Sequence, residues 1–210
     1  MSDTATARLE AFSDGVFAIA ITLLILEIKV PGAAEIARSG GLWTALAGRW
    51  PSYVGYLLSF LIIGIMWANH HTLFTYIRRV DRRVMFANLL LLMTVGFLPF
   101  PTAVLAEHLA EADARTPAAV FYGGALVVSA LAFNAVWWSG IRNRRLLGAD
   151  LDDDGVRTIT RRYALGPVSY GVATGVAAFN VWASLGIHFA LALLYALPER
   201  ASPGATRSHA

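Results

Sequence analysis

The 210-residue sequence contains no cysteine. This absence excludes disulfide bonds and thiolate metal sites, so packing and hydrogen bonds alone must hold the fold. The sequence also shows no internal repeat and no second domain, and residues 1–198 are therefore predicted to form a single domain. Residues 199–210 are polar and are predicted to be a disordered tail.

Charged residues are scarce as well. They make up 15% of the sequence, against 57% hydrophobic residues, and the mean hydropathy is +0.56. A soluble domain carries roughly 25% charged residues, so this composition indicates a membrane protein. Sixteen of the 17 basic residues are arginines spread over short loops, and they form no continuous phosphate-binding stripe. Nucleic acid is therefore not an expected partner. The excess of arginine over lysine, with abundant alanine and glycine, is associated with GC-rich bacterial genomes, so a bacterial cell membrane is the expected location.

Six apolar segments have lengths suited to crossing a bilayer, which takes about 20 helical residues. They cover residues 12–30, 50–76, 84–105, 118–141, 163–179 and 181–197. Pro99 and Pro101 predict a kink or an end within the third segment. Asn180 leaves room for only a tight hairpin between the last two. The expected fold class is therefore an all-α membrane protein with six transmembrane helices.

The arginines also predict the topology, because basic residues collect in cytoplasmic loops. With a cytoplasmic N-terminus, thirteen basic residues fall on the inner side and four on the outer side. Six spans with both termini in the cytoplasm satisfy this bias. Asp3, Glu10 and Asp14 occupy the positions where a cleavable signal peptide carries basic residues, so no signal peptide is expected.

The first apolar segment has two different helical faces. At about 100° per residue, Leu23 and Leu26 lie within roughly 40° of Ile19, and Thr22 lies about 60° to one side. Ser13 and Asp14 lie roughly 120° and 140° away from Ile19. The two faces must therefore have different neighbours. On spacing alone, such an aliphatic stripe is more typical of a packing surface between helices than of a functional site.

Two short motifs change this interpretation. The sequence RLEAFSD at residues 8–14 opens the first span, and WANHH occupies residues 67–71 in the second. The first carries Arg8, Phe12, Ser13 and Asp14, and the second carries Trp67, Asn69 and His70. Together they resemble the signature of the transmembrane protein 175 family of potassium channels, and the resemblance covers essentially the whole chain.

This resemblance implies a pore lined by the first helix, without the carbonyl filter of ordinary potassium channels; the sequence contains no TVGYG-like stretch. A chain with one six-helix repeat would form a homotetramer in the lipid bilayer. By position, Ile19, Leu23 and Leu26 would form the hydrophobic constriction, and Thr22 would contribute to potassium preference. Whether Thr22 or Leu23 faces the axis more directly is left open. Permeating potassium is the only expected metal, and no cofactor is expected.

The charged residues of the first segment each have two interpretations. Glu27 would lie at the pore mouth and attract cations, or it would be an interfacial charge paired with Lys29. Ser13 and Asp14, together with Arg8 and Phe12, would form a structural clasp with Trp67, Asn69 and His70, or Asp14 would contact the ion directly. We favour the clasp. Its histidines also raise the hypothesis of pH-dependent opening.

Two other functional classes fit the sequence less well. An enzyme is not expected, because the sequence lacks HExxH, Ser-Lys or paired-carboxylate patterns. A secondary transporter of a small cation or solute is the main alternative, but such proteins typically have internal repeats and broken helices. The first helix is predicted to be unbroken over residues 12–30, which favours a pore wall. Asp152, Asp153 and Asp154 lack the alternating spacing of a calcium-binding loop.

Overall fold

The computed structural model describes residues 3–149 and 151–196, so the polar tail lies outside the described residues. Within these ranges the chain folds into a series of α-helices. In chain order they are α1 (Asp3–Leu23), α2 (Ala33–Ser39), α3 (Leu42–Gly48), α4 (Trp50–Tyr76), α5 (Arg82–Phe97), α6 (Pro99–His108), α7 (Arg115–Ile141), α8 (Asp153–Val176) and α9 (Val181–Ala196). A 3₁₀ turn, Leu24–Glu27, extends α1, and another, Arg144–Leu146, follows α7.

Four stretches of the described chain are long and apolar enough to cross a membrane. They are Ala5–Glu27, Trp50–Tyr76, Arg82–His108 and Arg115–Ile141. They agree with the first four predicted segments. Helix α9 is apolar but has 16 residues, and α8 begins ten residues before the predicted start of the fifth segment, at Asp153. Six crossings therefore remain a prediction.

Two breaks between helices are where the sequence predicted them. Helix α5 ends at Phe97 and α6 begins at Pro99, where a proline costs no hydrogen bond because the first-turn N–H groups of a helix lack partners. The turn between α8 and α9 ends at Asn180, whose Oδ1 accepts a hydrogen bond of 3.0 Å from the Ala183 amide. Both predicted breaks are confirmed.

The first helix differs from its prediction. It is α-helical only to Leu23, continues as the 3₁₀ turn Leu24–Glu27, and becomes extended at Ile28. The prediction of an unbroken helix over residues 12–30 was therefore wrong. Two physical causes act together: β-branched Ile25, Ile28 and Val30 have low helix propensity, and Pro31 disfavours helical geometry in the residue before it.

Helix α7 lies at the centre of the bundle and packs against α5, α6, α8 and α9, while α1 packs against α4 and α5. Buried hydroxyl groups connect three of these helices. The Ser59 Oγ of α4 lies 2.7 Å from Thr102 Oγ1 of α6 and 3.0 Å from the Tyr122 hydroxyl of α7. Because polar groups in a lipid environment must be satisfied within the protein, this cluster fixes the relative positions of the three helices.

Helix α8 contains Pro167 without being interrupted. Proline has no N–H to donate to the carbonyl four residues earlier, which in this helix belongs to Tyr163. The side-chain amide of Asn134 on α7 donates to that same carbonyl at 2.8 Å. A neighbouring helix thus supplies the donor that proline lacks, which is how membrane helices tolerate internal prolines.

The acidic run before α8 caps this helix. Asp152 Oδ1 accepts a hydrogen bond of 2.8 Å from the Gly155 amide, and Asp153 lies 3.0 Å from an Arg144 nitrogen. Carboxylates at a helix N-terminus satisfy amides that otherwise lack partners. This acidic run is therefore the start of a helix.

Helices α7 and α8 approach each other closely at Gly123. A Cβ atom on Gly123 would clash with Thr174 Oγ1 and lie 3.0 Å from Thr174 Cβ, whereas one on Gly124 would meet nothing within 4 Å. We expect Gly123→Ala to push the helices apart and destabilise the fold by about 1–3 kcal/mol. Gly124→Ala should leave stability unchanged or higher. Unfolding of the purified variants in one detergent measures this, and equal stabilities would contradict the close approach.

Candidate functional site

Helix α1 has one buried face and one free face. Ser13, Phe17, Ala20 and Leu24 are at most 1% exposed, and their spacing of three or four residues places them on one side of the helix. On another side, Ile19 is 60% exposed, Leu23 41% and Leu26 63%. The predicted aliphatic stripe is therefore not a packing surface within the subunit.

The 3₁₀ turn changes how the free face is arranged. In a 3₁₀ helix, side chains three residues apart eclipse each other, so Leu26 lies almost directly above Leu23 along the axis. Thr22 is also exposed, and its hydroxyl donates to the carbonyls of Ala18 and Ile19 at 3.0 and 2.9 Å. A hydroxyl that donates to its own backbone retains lone pairs. Thr22 therefore presents an acceptor, not a donor, to whatever faces it.

The buried face is held by a chain of hydrogen bonds through Ser13, Asn88 and His70, which we call the buried anchor. The Asn88 amide nitrogen on α5 donates to Ser13 Oγ on α1 at 2.9 Å. Asn88 Oδ1 lies 2.8 Å from His70 Nε2 on α4. All three residues are at most 1% exposed. The buried anchor thus joins α1, α5 and α4 at one point.

The direction of each hydrogen bond in the buried anchor follows from the last acceptor. Ser13 Oγ donates to the Leu9 carbonyl at 2.8 Å, because a carbonyl only accepts. Ser13 Oγ can then only accept from Asn88, so the amide nitrogen of Asn88 faces Ser13 and its oxygen faces His70. His70 must therefore carry its proton on Nε2. Every group in the chain of hydrogen bonds has a defined role.

Asp14 and Trp67 form a second contact between α1 and α4. The indole Nε1 of Trp67 donates to Asp14 Oδ1 at 2.8 Å, on a partly exposed edge of the subunit. Aromatic packing supports the same interface, since the Phe17 ring centroid lies 5.3 Å from that of His70. The structure thus brings Ser13 and Asp14 close to Trp67 and His70.

Other residues of the predicted clasp lie elsewhere. Asn69 lines a crevice on another side of α4 and makes no hydrogen bond within the described part of the chain. Arg8 and Phe12 are exposed. Asn88 was missed by the sequence reasoning, although an amide inside an apolar segment is a usable signal, because such residues are rare in membrane spans and require partners.

Glu27 lies next to Lys29 at the other end of α1. The Lys29 Nζ lies 3.9 Å from Glu27 Oε2, and the lysine side chain is 68% exposed. This geometry fits the interfacial interpretation of Glu27. An exposed ion pair at this distance contributes little to stability, and the carboxylate remains accessible.

The chain is similar to a family of known channels. A family model described as the endosomal/lysosomal potassium channel TMEM175 matches residues 8–99, which include both motifs and Asn88. A potassium channel of Streptomyces collinus is 51% identical over 190 residues, covering 90% of this chain and 91% of that protein. The chain belongs to the TMEM175 family. Its relatives are channels, so the expectation that it is not an enzyme is confirmed, and it is a multi-pass membrane protein.

Two further TMEM175 relatives support this assignment. A potassium channel of Chamaesiphon minutus is 47% identical over 196 residues, covering 93% of this chain and 96% of that protein. The chain also superposes on a crystal structure from Chamaesiphon minutus, of a homologue of the lysosomal potassium-selective channel TMEM175. The TM-score is 0.82 at 44% identity, and the match covers 92% of this chain and 97% of that chain. The likeness therefore extends beyond the two motifs to nearly the whole fold of this TMEM175 chain.

We expect Asn88→Leu to destabilise the protein strongly. The substitution keeps a similar volume but leaves Ser13 Oγ without its donor and the His70 Nε2–H without its acceptor, and an unpaired buried polar group costs about 1–3 kcal/mol. Asn69→Leu is the control, because it removes an amide that is not hydrogen-bonded within the described chain. Unfolding in detergent compares the two. If both variants unfold alike, the buried anchor does not hold α1.

Proposed function

We propose that four copies of this chain form a potassium-preferring channel whose central pore is lined by α1. The observation that carries the proposal is the free apolar face of α1, which lies opposite the face fixed by the buried anchor. The bacterial relatives are named as potassium channels, which supports the same function. Because lipid would satisfy an apolar face equally well, the choice of a symmetric assembly rests on this likeness to channels and on the resemblance carried by the two motifs.

The proposed subunit crosses the membrane six times, with both termini in the cytoplasm. Helices α8 and α9 supply the last two crossings and are joined by the tight turn at Asn180. The arginine-rich ends of α4 and α7 lie on the same side, since the Gly148 amide donates to the Tyr76 carbonyl at 2.9 Å. This common basic end agrees with a cytoplasmic location.

The proposed gate is the ring of Ile19 side chains. Four aliphatic side chains around a narrow axis expel water, and ions cross only when the ring widens. Leu23 and Leu26 extend this wall outward along one line because of the 3₁₀ turn. The buried anchor would not touch the ion. Its role is to fix the rotation of α1, so that Ile19 and not Ala20 faces the axis.

Thr22 is the proposed source of potassium preference. Its hydroxyl hydrogen is used by its own helix, so its lone pairs are available to replace part of an ion's hydration shell. A ring of such hydroxyls holds a cation less firmly than stacked carbonyls do, and the expected preference is modest. Glu27, at the proposed outer mouth, would raise the local cation concentration.

We expect Ile19→Asn to raise conductance and lower potassium preference, because a polar ring stays hydrated. Recording from purified protein in planar bilayers, with potassium on one side and sodium on the other, measures both quantities. Val172→Asn is the matched control: Val172 is 61% exposed, against 60% for Ile19, but it belongs to α8, whereas α1 packs mainly against α4 and α5. Its currents should equal those of the wild type.

The absence of cysteine provides a second readout for the same position. Thiolates of Ile19→Cys subunits would converge in the pore and bind cadmium, so current should be blocked in this variant and not in Val172→Cys. Unchanged currents in Ile19→Asn, together with no block in Ile19→Cys, would remove α1 from the pore. Flux that saturates and needs a driving ion would instead favour a secondary transporter.

Thr22→Val should conduct but lose most of its discrimination between potassium and sodium. Valine has the shape of threonine without the oxygen, so the pore width stays nearly constant while the acceptor disappears. Thr22→Ser, which keeps the hydroxyl, should retain the preference. Reversal potentials under bi-ionic conditions report the change, and a Thr22→Val channel that is as selective as the wild type would place selectivity elsewhere.

A further inference from the structure

A crevice lies on the side of the subunit away from α1. It is open to the surface, has a free volume of about 70 Å³, and is formed by α4, α7, α8 and α9. Most of its lining is apolar, including Ile62, Met66, Leu126 and Phe133. A mainly apolar crevice in a membrane-spanning bundle is chemically suited to a hydrocarbon chain that lies along it.

The crevice has one polar end. Asn69 and Arg162 both line it, together with the aromatic ring of Tyr163. The hydrogen bond from Asn134 to the Tyr163 carbonyl places this part of α8 level with Asn134 on α7. Asn69 and Asn134 each lie seven residues before the end of their helix, which is roughly 10 Å along the axis. The polar end is therefore the end that faces the basic loops.

The side chains at the polar end can donate hydrogen bonds to an anion. Arg162 carries a positive charge, and the amide of Asn69 is not hydrogen-bonded to any described residue. Nearby, the ends of α4 and α7 carry Arg78, Arg79, Arg142, Arg144 and Arg145, which attract anionic headgroups at a membrane surface. Positive charge in the crevice lining is therefore confined to Arg162, and the other lining side chains are uncharged, with the hydroxyls of Tyr170 and Tyr195 among them.

We propose that this crevice binds an anionic phospholipid. One acyl chain lies between α4 and α8 against Met66 and Phe133, and the phosphate lies at Arg162 and Asn69. Gly166 leaves space for the chain, because a Cβ there would find its nearest neighbour, the Tyr195 hydroxyl, only at 3.9 Å. The site is separate from the proposed pore, and its existence does not depend on whether the protein conducts.

Native mass spectrometry of the full-length protein in detergent tests this proposal by titration with phosphatidylglycerol, using phosphatidylcholine with the same acyl chains as the neutral comparison. We expect the first phosphatidylglycerol to bind at least about tenfold more tightly than phosphatidylcholine, which corresponds to about 1.4 kcal/mol. Arg162→Gln should abolish this preference. Gly166→Leu should weaken the binding of both lipids, because the leucine side chain fills the crevice.

Each of these variants has a matched control. Arg161→Gln removes the neighbouring exposed arginine, which does not line the crevice, and Gly171→Leu adds the same side chain to α8 where a Cβ meets nothing within 4 Å. Both controls should bind lipid like the wild type. Equal affinities for the two lipids, equal losses in Arg161→Gln and Arg162→Gln, or unchanged binding in Gly166→Leu would each overturn the site.

Discussion

The attachment of one face of α1 to α4 and α5 is the constraint on which the rest of the structure depends. A helix in lipid gains little from hiding apolar residues, because the surrounding chains are equally apolar. Its rotation must therefore be set by polar contacts. Ser13, Asn88 and His70 supply these contacts in the buried interior, and Trp67 adds one to Asp14 at the edge. Once these bonds form, the position of Ile19 is no longer free.

This arrangement explains why acidic and hydroxyl groups open an apolar helix. An ionised carboxylate at the centre of a bilayer costs at least about 2.5 kcal/mol, so it persists where a partner or a function requires it. Asp14 has a partner in the Trp67 indole, and Ser13 in the Asn88 amide. The Asp14 carboxylate thus helps to attach α1 to α4, and it lies on a different face of α1 from the aliphatic stripe. The stripe of Ile19, Leu23 and Leu26 remains apolar, as the proposed gate would require.

Much of this fold was readable from the sequence, because local rules govern it. Pro99 and Asn180 end helices by their own chemistry, and the first four spans follow from length and hydropathy. Contacts between distant residues were not readable. No sequence pattern predicts the hydrogen bond between Asn88 and Ser13. Nor does any pattern predict that Asn134 donates to the Tyr163 carbonyl, to which Pro167 has no N–H to donate. The 3₁₀ turn at Leu24 was missed because helical periodicity was extended through a β-branched run that ends at a proline.

The same missed turn bears on how the proposed pore would work. In a continuous α-helix, the angle between successive pore-facing residues drifts, and Leu26 would turn away from Leu23 by roughly 60°. In the 3₁₀ turn the two side chains eclipse, so the free face continues straight beyond Thr22. The cost is poorer hydrogen-bond geometry in that turn. In the proposed pore, a segment with weaker backbone bonds, beyond a helix held at Ser13, would concentrate motion at the C-terminal end of α1 and leave the rotation of Ile19 fixed.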